Sequence, residues 1–154
     1  MEAKTLRRVR LCAAAILINL LFIWGNSLMP GHISAALSRF AVNVMSVFFP
    51  GEGTGEVSSG EGILRKIAHI LEFCCLGLLL SYLLTLFGKP YLFSLPVGAL
   101  VGAIDECLQL LVPDRGPHIR DVGIDTLGVI AGIGVFTILL AIRRRKLNLE
   151  DKKL

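Results

Sequence analysis

The sequence predicts an all-α membrane protein, a bundle of four transmembrane helices. Of the 154 residues, 54% are hydrophobic and the mean hydropathy is +0.70, whereas soluble domains have about 45–50% apolar residues. Charge is nearly absent from four stretches close to the roughly 20 residues that cross a bilayer core. These stretches are residues 11–28, 67–87, 91–112 and 122–142. Helices are expected because a lone strand leaves its backbone polar groups unpaired in lipid.

The distribution of basic residues predicts the orientation. Eleven lysines and arginines fall on the side of both termini and of the turn at residues 88–90, and five fall on the other side. Cytoplasmic loops are enriched in these residues, so both termini are expected in the cytoplasm. The net charge of +4 is therefore interpreted as a topology signal, and no nucleic-acid partner is expected. The basic run at residues 143–146 is interpreted as a stop-transfer flank, with contact to anionic lipid as the alternative.

The first hydrophobic stretch follows a basic segment, as the hydrophobic part of a signal peptide also does. The run is longer than such segments usually are, and no clear small-x-small cleavage site comes directly after Leu28. We therefore expect an uncleaved first helix, which the Pro30-Gly31 pair ends.

Residues 33–49 form an apolar stretch that is too short to cross a bilayer comfortably. Its apolar residues recur at helical spacing, with serines and Asn43 elsewhere on the helix. This pattern predicts an amphipathic helix that lies in the outer membrane interface, and a re-entrant segment is the alternative. The glycine-rich residues 50–62 that follow have the composition of a flexible loop.

Small residues in the last two stretches predict close helix packing. The third contains Gly98-x-x-x-Gly102 and the fourth Gly128-x-x-x-Gly132, a spacing that lets membrane helices approach each other. Residues 1–146 are expected to form one domain, and residues 147–154 a cytoplasmic tail. The four cysteines all fall in predicted helices and are assigned to packing.

Polar residues within the membrane stretches predict a functional site on the outer side. Charge costs roughly 2.5–3.5 kcal/mol per residue at the centre of a membrane helix, and four segments carry polar groups at matching depth. His69 follows Lys66 by one helical turn, and Asp125 follows Asp121 in the same way. The predicted catalytic residues are His69, Glu106 and Asp121, and the predicted ligand-binding residues are Ser27, Lys66, Asp105, Gln109, Arg115 and Asp125. Glu72 lies in the same group of polar residues, but its angular position around the helix departs most from that of Lys66.

A metal ion is the alternative that the same residues raise. Carboxylates and His69 can bind a divalent ion, but they are dispersed along the chain and their spacing matches no metal motif. We therefore predict no metal site and leave the cofactor unassigned.

A pattern across the last three helices resembles a known family. It reads Lys66-x-x-His69, then Asp105-Glu106-x-x-Gln109-x-x-x-Pro113-x-Arg115, then Asp121-x-x-x-Asp125-x-x-Gly128-x-x-x-Gly132. Within a four-helix chain this pattern resembles the VanZ-like family, small bacterial membrane proteins named after a teicoplanin-resistance protein. The resemblance covers residues 26–132 and implies a multi-pass protein of the bacterial cytoplasmic (inner) membrane with a link to glycopeptide resistance. At Asp125 the family pattern favours asparagine, so this chain either adds a carboxylate to the pocket or varies its hydrogen bonding.

Four classes of function fit these residues to different degrees. Interhelical packing alone requires fewer ionisable groups than are present. A binding or resistance protein would hold a lipid head group, a lipid-linked cell-wall precursor or a glycopeptide, with Lys66 and Arg115 on phosphate or carboxylate. An enzyme acting on an outer-leaflet lipid would use His69 or Glu106 as general base. Transport fits poorly, because residues 76–84 and 130–140 are nearly all apolar. Catalytic turnover and oligomeric state are left open.

Overall fold

The described part of the chain forms five α-helices. A computed structural model describes residues 3–48, 57–113 and 118–151. The helices are α1 (Ala3–Ser27), α2 (Gly31–Phe48), α3 (Val57–Leu86), α4 (Ser94–Gln109) and α5 (Ile119–Asp151). A single turn of 3₁₀ helix, Tyr91–Phe93, leads into α4.

Four segments are long and apolar enough to cross a membrane, which confirms the predicted fold class. They are Ala3–Ser27, Arg65–Leu86, Tyr91–Gln109 and Ile119–Asp151. The surface of the bundle agrees with this assignment, because large apolar side chains such as Leu17 (57% exposed) and Ile18 (67% exposed) cover it. Exposed apolar area on this scale is unusual for a soluble monomer and is what a lipid-facing surface requires.

Three helices extend further than the sequence predicts. α1 begins at Ala3, whereas the first predicted stretch begins at residue 11. α3 begins at Val57, inside the segment predicted as a glycine-rich loop, of which residues 50–56 lie outside the described residues. α5 continues through most of the predicted tail to Asp151. Once a membrane-spanning helix has formed, each added residue gains a hydrogen bond without a new nucleation step, so its ends extend into polar sequence.

One transmembrane helix is shorter than predicted. α4 ends at Gln109, and the next residues make single turns in which the amide of Val112 donates to the carbonyl of Gln109. Pro113 disfavours helical backbone at the residue before it, which accounts for the early end.

α3 is the central helix of the bundle and contacts each of the other four. It runs parallel to α5, since Gly128 faces Ile70 and Gly132 faces Cys74. It runs antiparallel to α1, since the Cys12 thiol donates to the carbonyl of Leu79 at 3.4 Å. The buried core between these helices consists of Ile23, Phe73, Leu76, Val129 and Ile133.

Glycines allow the helix backbones to approach as the sequence indicates. A Cβ atom placed on Gly128 would lie 2.7 Å from the carbonyl oxygen of Ile70, and one on Gly98 would lie 2.5 Å from Cγ2 of Val129. Gly77, a lone glycine with no spacing motif, has the same role, because a Cβ there would lie 2.5 Å from the Val129 carbonyl oxygen. Close approach of α3, α4 and α5 therefore depends on residues without side chains.

The two ends of the bundle differ in chemistry. We call the end where α1 and α4 terminate and α5 begins the polar end. At the opposite end, the Ser81 and Ser94 hydroxyls lie 2.9 Å apart and join α3 to α4.

The helical state of α2 matches the prediction for residues 33–49, and its placement in a membrane interface stays a prediction.

The α3–α5 contact provides a matched pair of glycine substitutions. Gly132→Ala places a Cβ atom onto the Cys74 carbonyl and 2.8 Å from the Leu78 amide nitrogen, whereas Gly134 on the same helix has no atom within 4 Å of that position. We expect Gly132→Ala to lower the free energy of unfolding in detergent by about 1–3 kcal/mol through overpacking. Gly134→Ala should leave it unchanged or slightly higher, because alanine favours helix. Equal stability of the two variants would contradict the close α3–α5 packing.

Candidate functional site

Hydrogen bonds at the polar end join the end of α1 to α4. The Ser27 hydroxyl donates to Oδ2 of Asp105 at 2.7 Å, and both residues are fully buried. The Gln109 amide donates to the same oxygen at 3.3 Å and to Oε1 of Glu106 at 3.2 Å. Ser27, Asp105 and Gln109, all predicted ligand-binding residues, therefore form one network.

Glu72 is held by α1. The Asn26 amide donates to Oε1 of Glu72 at 2.8 Å, and the Asn19 amide donates to the backbone carbonyl of Glu72 at 3.4 Å. Glu72 is buried and does not line the cavity described below. Glu72 therefore faces away from the cavity, in agreement with its different angular position from Lys66 around the helix. Asn26 lies on another helix, so the spacing of residues within α3 does not reveal it as a partner.

Glu106 is fixed from two directions. The backbone amide of His118, just before α5, donates to Oε2 of Glu106 at 2.8 Å, while Gln109 occupies Oε1. The His118 side chain is exposed. This residue therefore contributes through its main chain, a role that sequence patterns seldom indicate.

A small cavity opens at the polar end between α3, α4 and α5. It has a volume of about 20 Å³, enough for one water molecule. Its lining consists of Arg65, Lys66, His69, Glu106, Gln109, Asp121, Ile124 and Asp125. Residues that are distant in the sequence thus meet around one space, with cations, carboxylates and an imidazole together.

His69 and Asp125 lie close to each other across this cavity. Nδ1 of His69 lies 3.7 Å from Oδ1 of Asp125, and Asp125 is only 2% exposed. Oδ2 of Asp125 has no hydrogen-bond partner within the described part of the chain. A Cβ atom on Gly102 would lie 3.4 Å from this oxygen, so the glycine leaves room for the carboxylate.

His69, Asp105 and Asp125 also lie together. Each offers one ligand atom, and the three atoms lie within 4.8 Å of one another. The three residues belong to α3, α4 and α5, which is why they look dispersed along the sequence. The fold therefore brings together possible metal ligands whose spacing in the sequence does not indicate a shared site.

The structure places most of the predicted site residues around the polar end. The cavity lining includes Lys66, His69, Glu106, Gln109, Asp121 and Asp125. Ser27 and Asp105 lie beside it, joined to Gln109 through hydrogen bonds. Arg115 lies outside the described residues. Arg65 lines the cavity but was not among the predicted site residues, although its position next to Lys66 is the signal that points to it.

The chain matches one protein-family model. The family is described as VanZ/LLP1, and the match covers residues 11–140, which includes the second and third membrane spans completely, most of the first and fourth, and every residue that lines the cavity. No curated protein and no solved structure matches the chain.

Proposed function

Because the chain belongs to the VanZ/LLP1 family, we propose that it is a bacterial cell-envelope protein that binds the phosphate of a membrane lipid or lipid-linked cell-wall precursor. The observation that carries this proposal is the cavity at the polar end, which brings Arg65 and Lys66 next to buried acid–base groups. We place the protein in the bacterial cytoplasmic membrane, because its site motif resembles that of VanZ-like proteins.

Arg65 and Lys66 are the groups that bind the phosphate. Both are exposed, and Arg65 begins the second membrane span, so they lie where the hydrocarbon meets the lipid head groups. Charge-assisted hydrogen bonds from Arg and Lys to phosphate are among the stronger polar contacts in proteins. Because Arg65 and Lys66 are exposed whereas Asp125 on the cavity wall is buried, the phosphate binds at the mouth of the cavity. Arg115 is a third cation in this proposal.

The polar end faces outward in this proposal. Lys89 and the basic run at residues 143–146 belong to the opposite end, which the positive-inside rule assigns to the cytoplasm. An outward site meets lipid phosphates of the outer leaflet and precursors of the cell wall. Binding of a precursor there would alter the exposure of the target on which glycopeptides act, which connects the site to teicoplanin resistance.

A second candidate function is hydrolysis or group transfer on the same class of lipid. The contact between His69 and Asp125 favours it, because a carboxylate beside an imidazole orients the ring and supports its action as a general base. The cavity has room for one water molecule beside this pair. His69 would remove a proton from that water as its oxygen attacks phosphorus, while Lys66 stabilises the developing negative charge. The bond from phosphorus to the leaving alcohol oxygen breaks in the same step, and the protonated His69 returns the proton to that oxygen.

The binding proposal predicts opposite behaviour for two lysines. Lys66→Gln removes a cation at the cavity, and Lys89→Gln removes one at the opposite end. We expect Lys66→Gln to weaken binding of phosphatidic acid or undecaprenyl phosphate in detergent micelles about tenfold or more, since a charged hydrogen bond contributes about 1.5–3 kcal/mol. Native mass spectrometry with diacylglycerol as the uncharged reference measures this. Equal affinity of the two variants would exclude the cavity as the phosphate site.

The same two variants test the proposed resistance role in cells. Expression of the wild-type chain and of Lys89→Gln in a glycopeptide-susceptible host should raise the inhibitory concentration of teicoplanin, and Lys66→Gln should not. An unchanged inhibitory concentration with the wild-type chain would contradict the resistance role.

The enzyme candidate predicts a change in lipid composition. Host cells that express the wild-type chain should accumulate a lipid product that is absent with His69→Ala and with Glu106→Gln, because each substitution removes a group that can move a proton. Mass spectrometry of total lipid extracts makes the comparison, with Lys89→Gln as the control that retains the product. Identical lipid profiles in all four strains and in the host without the gene would rule out turnover.

A further inference from the structure

We propose that His69, Asp105 and Asp125 form a binding site for one divalent metal ion, Zn²⁺ or Mn²⁺, beside the cavity at the polar end. One ligand atom from each residue lies within 4.8 Å of the other two. This site goes beyond the phosphate binding proposed above and stands whether or not a lipid binds.

The distances between the donors suit a small metal ion. Ligand atoms in a tetrahedral zinc site lie about 2.0–2.2 Å from the ion and therefore about 3.4 Å from each other. Nδ1 of His69 and Oδ1 of Asp125 are 3.7 Å apart, and all three donor atoms lie within 4.8 Å of one another. The donors therefore have to approach one another by about 1.4 Å at most to reach tetrahedral spacing.

A second observation, independent of the clustering, is the state of Asp125. Its side chain is 98% buried, lines the cavity, and leaves Oδ2 without a hydrogen-bond partner among the described residues. A buried carboxylate oxygen with no partner costs more than a typical hydrogen bond gains. A cation at the cavity supplies the missing interaction. The absence of a side chain at Gly102 keeps the space beside this oxygen open.

The third ligand is oriented by its neighbours. Ser27 and Gln109 both donate hydrogen bonds to Oδ2 of Asp105, at 2.7 and 3.3 Å. Metal-binding carboxylates are commonly fixed in this way by groups that do not touch the ion, and loss of such groups weakens metal binding. Ser27, which ends α1, thereby acquires a role as a positioning residue.

The local charge also favours a cation. Glu72, Asp105, Glu106 and Asp125 are all buried at the polar end, and buried carboxylates require compensating charge. Imidazole suits zinc and iron, whereas carboxylates suit manganese and magnesium. A set of one imidazole and two carboxylates lies between these preferences, which is why we name Zn²⁺ and Mn²⁺. His69 and Asp125 also line the cavity, so a water or a phosphate oxygen can complete the coordination from that side.

Metal binding is tested on the full chain in detergent, purified through a tag without histidine and stripped with EDTA. The protein is dialysed against Zn²⁺ or Mn²⁺, and the metal content is measured by inductively coupled plasma mass spectrometry. We expect one ion per chain for the wild type and for Asp151→Asn, which removes an exposed carboxylate from the far end of α5 and none from the ligand group. Asp125→Asn and His69→Gln should bind at least tenfold more weakly.

A second measurement covers variants that fold poorly. The ion should raise the melting temperature of the wild-type chain above its value in EDTA, because a ligand that binds only the folded state stabilises it. Failure of the wild type to retain an ion, or equal retention by Asp125→Asn and the wild type, would overturn the proposal. Phosphatidic acid binding is measured separately in EDTA. A chain that binds metal but no lipid would refute the phosphate proposal alone, and the reverse result would refute the metal site alone.

Discussion

The cost of burying carboxylates in a bundle surrounded by lipid is the constraint on which the structure depends. Such groups are tolerated when they face the interior and find partners there. Three of these contacts at the polar end join different helices: Ser27 of α1 binds Asp105 of α4, Asn26 of α1 binds Glu72 of α3, and His69 of α3 meets Asp125 of α5. The contacts that satisfy the acidic groups therefore also hold the four spans together at that end.

Close approach of the helix backbones makes these contacts possible. Gly128 and Gly132 let α5 lie directly against α3, and Gly102 lets α4 lie against Asp125. Below the polar end the same helices pack through an apolar core that includes Phe73, Leu76 and Ile133. The apolar half stabilises the bundle through packing, whereas the polar half contains the ionisable groups of the candidate site. A site that occupies one half of a membrane protein suits recognition of a lipid from one leaflet better than passage of a solute across both.

The sequence predicts well how deep each polar residue lies in the membrane. It predicts poorly how each helix is rotated about its axis, and therefore which side chains face one another. Four apolar stretches were enough to predict the spans, and matching depths were enough to bring His69, Glu106, Gln109, Asp121 and Asp125 towards one end. Polar segments next to a span, such as residues 57–62, were misassigned because helix extension depends on the neighbouring turn and not on local composition. His69, Asp105 and Asp125 were all placed in the predicted site, but their approach to within 4.8 Å was not predicted, because it depends on how three helices are rotated. Gly77 was missed for the same reason, since a lone glycine shows its role only when Val129 packs on it.

The convergence of ionisable groups from separate helices inside the polar end is the feature on which the candidate site depends. Solid-state NMR in lipid bilayers tests it directly, with ¹⁵N-labelled histidine and ¹³C-carboxyl-labelled aspartate. The chain contains three histidines, and a His69→Gln sample identifies the signal of His69. The structure predicts a detectable dipolar coupling between the His69 ring and an aspartate carboxyl carbon, in line with the 3.7 Å contact between Nδ1 and Oδ1 of Asp125. Absence of any coupling that disappears with His69→Gln would show that the groups do not converge, and the site would not exist as described.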